Sequence, residues 1–161
     1  MRTDQKGFTL VESMIAVGLI VTGVVGVLTL VSRSIGFSGL AFNRLTAANL
    51  AQEGIEVVRN IRDTNWISGL AWDNGLADGD YQLDYATKPP LPAYDSAQKL
   101  LLDETGGYFN YLIGNPTVYQ RKITINHISA DQIQIKATVT WVGRGGGNFE
   151  TIVEDRLFNW H

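Results

Sequence analysis

The sequence predicts an α+β fold in which one long N-terminal helix, apolar in its first half and amphipathic in its second, packs on an antiparallel β-meander at the C-terminus. Three observations carry this. Residues 13–32 form a run of 20 uncharged residues. Farther on, Ala47, Leu50, Ala51, Gly54, Val58 and Ile61 recur at three- and four-residue spacing, the period of a helix with one apolar face. Near the C-terminus, residues 121–127 and 132–141 alternate apolar and polar, as half-buried strands do. The average over 161 residues, 45% apolar with a net charge of −3, conceals this division.

Residues 1–7, MRTDQKG, are short and polar and end in Lys6-Gly7. The next 24, FTLVESMIAVGLIVTGVVGVLTLV, hold one ionisable residue, Glu12. As a helix the 20-residue uncharged run spans roughly 30 Å, the thickness of a bilayer core. A secretory signal peptide has a shorter apolar region followed by a small-residue cleavage site, and SRSIGFSGLAF after Val31 offers no convincing one. A plain membrane anchor fits the length. It leaves Glu12 unexplained, since an acidic side chain at the centre of a membrane helix costs about 2.5 to 3.5 kcal/mol on insertion scales.

The segment KGFTLVESMIAVGLIV resembles the N-terminus of prepilins, the precursors of type IV pilins and of the pseudopilins of type II secretion. In that family a membrane peptidase cuts after a glycine preceded by basic residues and N-methylates the new terminal residue, usually phenylalanine. A glutamate stands at the fifth mature position. The resemblance implies Lys6 as the basic flank, cleavage between Gly7 and Phe8, methylation of Phe8, and Glu12 as the glutamate. It also implies a type IV pilin-like fold, and as partners the prepilin peptidase, other pilin subunits, an inner-membrane platform and assembly motor, and membrane lipid before assembly. Two departures stand out: the chain has no cysteine, where many type IV pilins close a C-terminal disulfide, and no proline interrupts the apolar helix. Gly18, Gly23 and Gly26 do not form a GxxxG pattern and read as general packing aids.

Cleavage before Phe8 would create a cationic amine at a helix start, with Glu12 one turn on and well placed against the helix dipole. A better partner for Glu12 is the Phe8 amine of a neighbouring copy, because pairing neutralises two charges that a dry fibre core would otherwise strand, and sets axial register. Basic residues do not fix orientation: Arg2 and Lys6 precede the apolar run, Arg33 and Arg44 follow it. The resemblance implies a cytoplasmic leader and an exported C-terminal part, a single-pass precursor of the cytoplasmic membrane that becomes an extracellular pilus or a periplasmic pseudopilus.

The second half of the helix places Asn49, Gln52, Glu53, Glu56 and Arg59 opposite its apolar stripe, and Asp63-Thr64-Asn65 reads as its stop. Unbroken from residue 8 to about 62, it would measure roughly 80 Å. Residues 64–117 read as connection punctuated by glycine and proline, with a candidate strand at 81–85 and short strands near 100–102 and 108–112. Residues 121–127, 132–141 and about 149–158 form the meander. The organisation is a leader at 1–7, an assembly helix at 8–32, an amphipathic helix at 33–63, a connecting region at 64–117 and a β-sheet at 118–161.

Catalytic material is scarce. Without cysteine there is no thiol nucleophile, disulfide framework or zinc cluster. Of the two histidines, His127 reads as a satisfied sheet histidine and His161 is terminal. No enzyme activity and no cofactor are expected. Asp73, Asp78 and Asp80 could offer oxygens to calcium, but they match no EF-hand spacing, and a plain turn is favoured. Arg144 on a glycine-rich hairpin, with Arg121 and Lys122, could touch nucleic acid, although an exposed arginine there ordinarily marks a soluble turn. Leu157-Phe158-Asn159-Trp160 reads as core packing of the last strand. The expected function is a structural subunit, major or minor, of a type IV pilus-like fibre serving adhesion, motility or DNA uptake. A type II secretion pseudopilin is the rival within the family, and a singly anchored exported binding domain the rival outside it.

Overall fold

The computed structural model describes residues 7, 9–143 and 146–160. Expectations for Lys6, Phe8, Arg144 and His161 lie outside them. The order is α1 (Leu10–Ile67), β1 (Gly79–Tyr81), β2 (Leu101–Asp103), β3 (Tyr108–Asn110), β4 (Asn115–Pro116), β5 (Tyr119–Ser129), β6 (Gln132–Val142) and β7 (Asn148–Phe158). This is the α+β, pilin-like arrangement of a long, N-terminally apolar helix and antiparallel sheets. The chain divides into two units, one ending at Phe42 and the other beginning at Asn43.

In the first unit α1 runs without a break through Gly18, Gly23, Gly26, Gly36 and Gly39. Proline is absent from it, and a glycine inside a helix costs only about 1 kcal/mol against alanine. Up to Phe42 no described side chain of the helix is buried.

In the second unit the same helix buries Ala47, Leu50, Ala51, Gly54, Ile55, Val58 and Ile61. They lie against a four-stranded antiparallel sheet of order β1-β5-β6-β7, whose inward residues Ile123, Ile125, Ile133, Ile135, Ala137 and Val139 are wholly buried. Contact is closest at Gly54, where a Cβ would overlap Ile123 Cδ1 and stand 3.3 Å from Arg121 Cδ. Tyr119 pairs with Trp141 and Trp141 with Phe149 across the strands, and the Tyr119 hydroxyl donates to Asn43 Oδ1 at 2.9 Å.

The helix passes the expected stop at 63–65 and ends at Ile67. Asn65 does not break it: its side-chain amide donates to the carbonyls of Trp72 (3.1 Å) and Asn74 (2.9 Å), fastening the following loop. Termination comes at Gly69, with φ of +69°. Gly69 N–H bonds the Trp66 carbonyl at 3.1 Å and Leu70 N–H the Asn65 carbonyl at 2.9 Å, the paired bonds of a Schellman cap.

The candidate strand at 81–85 proves to be Gly79–Tyr81, on the β5 edge. It cannot continue through Asp84, whose carboxylate accepts from Ala86 N–H (3.1 Å) and the Thr87 hydroxyl (2.7 Å) and folds the chain into a turn. β2, β3 and β4 form a second, three-stranded sheet of order β3-β2-β4, which the sequence reading reduced to isolated short strands.

Candidate functional site

Gly7 is exposed and non-helical, and a Cβ there would meet nothing within 4 Å. Nothing described in the chain therefore requires glycine at that position. Two residues on, Thr9 precedes the first helical residue. Its hydroxyl accepts from Glu12 N–H at 3.3 Å, while Glu12 Oε2 accepts from Thr9 N–H at 3.0 Å and from the Thr9 hydroxyl at 2.9 Å. This reciprocal capping box satisfies two otherwise orphaned donors at the helix start. The sequence places Glu12 against the helix dipole and a neighbour's amine; Thr9 is a further partner, and T-x-x-E before an apolar run is its signature.

Beyond Glu12 the helix presents its apolar side chains outward: Leu10 is 79% exposed, Met14 68% and Leu19 70%. Thr22 and Thr29 return their hydroxyls to the carbonyls of Gly18 and Val25, each at 2.8 Å, so they add no unmet polar group to this surface. Gly18, Gly23 and Gly26 have no neighbour within 4 Å of a would-be Cβ. The helix is long and apolar enough to cross a membrane, and none of its most apolar 18-residue window is buried in the chain.

The acidic loop lies along β5, with its carboxylates spoken for. Asp78 Oδ1 accepts from His127 N–H at 2.6 Å and lies 2.7 Å from His127 Nδ1; Asp73 Oδ2 is 3.4 Å from Nε2 of the same ring. Asp80 accepts from the Thr124 hydroxyl at 2.5 Å and lies 3.4 Å from Lys122 Nζ. The His127 side chain and then its backbone N–H hold Asp78 below the usual carboxylate range; the Thr124 hydroxyl, with help from Lys122, does the same for Asp80. Among the described residues no group of three or more acidic or histidine side chains is arranged to hold a metal ion. Both nitrogens of His127 face carboxylates, Nδ1 that of Asp78 and Nε2 that of Asp73.

Arg121 is not a surface cation. It is 1% exposed, and its guanidinium donates to the Leu50 carbonyl at 2.8 Å, to the Leu83 carbonyl and to Glu53 Oε1 at 3.1 Å. The basic grouping of Arg121 with Lys122, considered from the sequence as the less favoured reading, is therefore not formed; Lys122 lies over the Tyr94 ring at 5.9 Å, next to Asp80. Residue type alone hid this role, since arginine is seldom buried. The tail is likewise divided. Leu157 is core, whereas Phe158 is 49% and Trp160 65% exposed, the latter with its ring edge-on to Trp66 at 4.7 Å. Phe158 faces outward because side chains alternate along β7, and Trp160 lies past the end of that strand.

No curated protein and no solved structure matches the chain. Residues 2–28, which hold Gly7, the capping box and the start of the exposed apolar helix, match the prokaryotic N-terminal methylation motif: the chain carries the prepilin-type cleavage and methylation motif.

Proposed function

We propose that the protein is the precursor of a structural subunit of a type IV pilus-like fibre. A prepilin peptidase removes residues 1–7 and methylates Phe8; residues 8–32 form the assembly helix, 33–63 lead into the head, and 64–117 and 118–161 complete it. One observation carries this reading: the methylation motif opens a helix whose first apolar stretch finds no cover among the described residues. Such a surface needs lipid at first and other copies later. The bilayer holds the subunit until a motor and platform extract it, and Glu12 exchanges its local partner, Thr9, for the Phe8 amine of a neighbour. Adhesion, motility or DNA uptake would follow from the fibre; a pseudopilin of type II secretion would use the same helix in a short periplasmic piston. The head is exported.

Sequencing the mature N-terminus tests this most directly, with methylated Phe8 as the expected result. Gly7→Asp should leave an uncut precursor in the membrane, and normal processing of that variant would overturn the reading. Glu12→Ala should be inserted and cut yet stay out of sheared fibres; unchanged incorporation would instead favour a singly anchored domain that never polymerises.

A further inference from the structure

The turn between α1 and β1 contains Asn74-Gly75, the one Asn-Gly pair in the sequence. Glycine is fixed there twice over: Gly75 has φ of +78°, and a Cβ would stand 2.7 and 2.9 Å from Pro89 Cβ and Cγ. Asn74 is under no such demand. It is exposed, it has no positive φ, and among the described residues neither its side-chain amide nor the Gly75 N–H takes part in a hydrogen bond of the turn, which is held by Asn74 N–H to the Ala71 carbonyl (2.9 Å) and Leu76 N–H to the Asp73 carbonyl (2.8 Å). The fold thus holds in place, in contact with water, a residue pair in which neither the side-chain amide nor the following amide nitrogen is held by a hydrogen bond among the described residues.

We propose that Asn74 is a site of spontaneous intramolecular modification that converts it to aspartate and isoaspartate. Gly75 N loses its proton to hydroxide and bonds to Asn74 Cγ; the Cγ–Nδ2 bond breaks and ammonia leaves, closing a five-membered imide. Water then opens the ring. Cleavage of the new Gly75 N–Cγ bond gives aspartate, while cleavage between Gly75 N and the Asn74 main-chain carbonyl carbon gives isoaspartate, with one added methylene in the backbone. Nothing is oxidised or reduced. In the isoaspartyl product the oxygen that Asn65 Nδ2 holds at 2.9 Å becomes part of a free carboxylate. Either product adds a negative charge beside Asp73, at one end of the carboxylate row that faces His127.

Full-length protein in detergent micelles, incubated at neutral and at alkaline pH, tests this by mass spectrometry of the tryptic fragment covering residues 63–99, alongside a synthetic peptide of residues 70–79. Asn74 should lose its amide within an order of magnitude of the free peptide's rate, faster at the higher pH, with isoaspartate among the products. Asn110, Asn115 and Asn126 should keep theirs over the same period, and Asn74→Gln should leave the fragment unchanged. The proposal fails if Asn74 persists while the peptide converts, or if conversion appears only in proportion to the fraction unfolded by added denaturant.

Discussion

The two stretches of α1 share one backbone conformation and differ in what covers them. Up to Phe42 the helix buries no described side chain; beyond it Ala47, Leu50, Ala51, Gly54, Ile55, Val58 and Ile61 are buried, with the sheet closest at Gly54. The difference lies in the composition of the opposite face. The later stretch alternates its stripe with Gln52, Glu56 and Arg59, so it has an inside and an outside. The earlier stretch is uncharged and predominantly apolar all round between Glu12 and Arg33, which is how a helix reads when its surroundings are lipid or neighbouring apolar helices.

Matched truncations separate the two regions most sharply. Ile135→Ala empties a wholly buried position and should lower head stability by about 2 to 5 kcal/mol, read as a drop in the denaturant midpoint of the head. Val24→Ala, at a position 52% exposed, should leave that midpoint where it is; an equal loss would mean that the first stretch is covered by its own chain after all. A smaller effect is expected at Gly54→Ala, where the added methyl overlaps Ile123 Cδ1: about 1 to 3 kcal/mol lost, with part of it regained when Ile123→Val removes that carbon. The smallest concerns the acidic loop. Asp78 is held below the usual carboxylate range by His127, so its contribution is present above the unfolded-state pKa and is lost as pH falls through the lower, folded value. Asp78→Asn should therefore flatten the acid limb of the head's stability profile and leave the alkaline limb unchanged.

Legibility followed the length of the pattern. The stripe on α1 and the alternation along β5 and β6 repeat often enough to be read from residue type, and the motif around Gly7 and Glu12 reads from spacing. The second sheet escaped because β2 and β3 have three residues each and β4 two, too few for alternation to show. Gly69 is an ordinary C-terminal helix signal that lost out to the polar Asp63-Thr64-Asn65, whose last member turned inward to hold the loop. Arg121 stands in phase with the inward-facing Ile123 and Ile125 of β5, a signal that its charge masked; the close approach of helix to sheet at Gly54 makes it a buried tie.

That tie also has a place in time. The partner of the Leu50 carbonyl lies 71 residues downstream and the carboxylate that meets Arg59 lies 96 downstream, so the amphipathic face of α1 is made long before anything can cover it. Contacts so distant along the chain form late and slowly. That face stays open at least until β7, which carries Asp155, has been made.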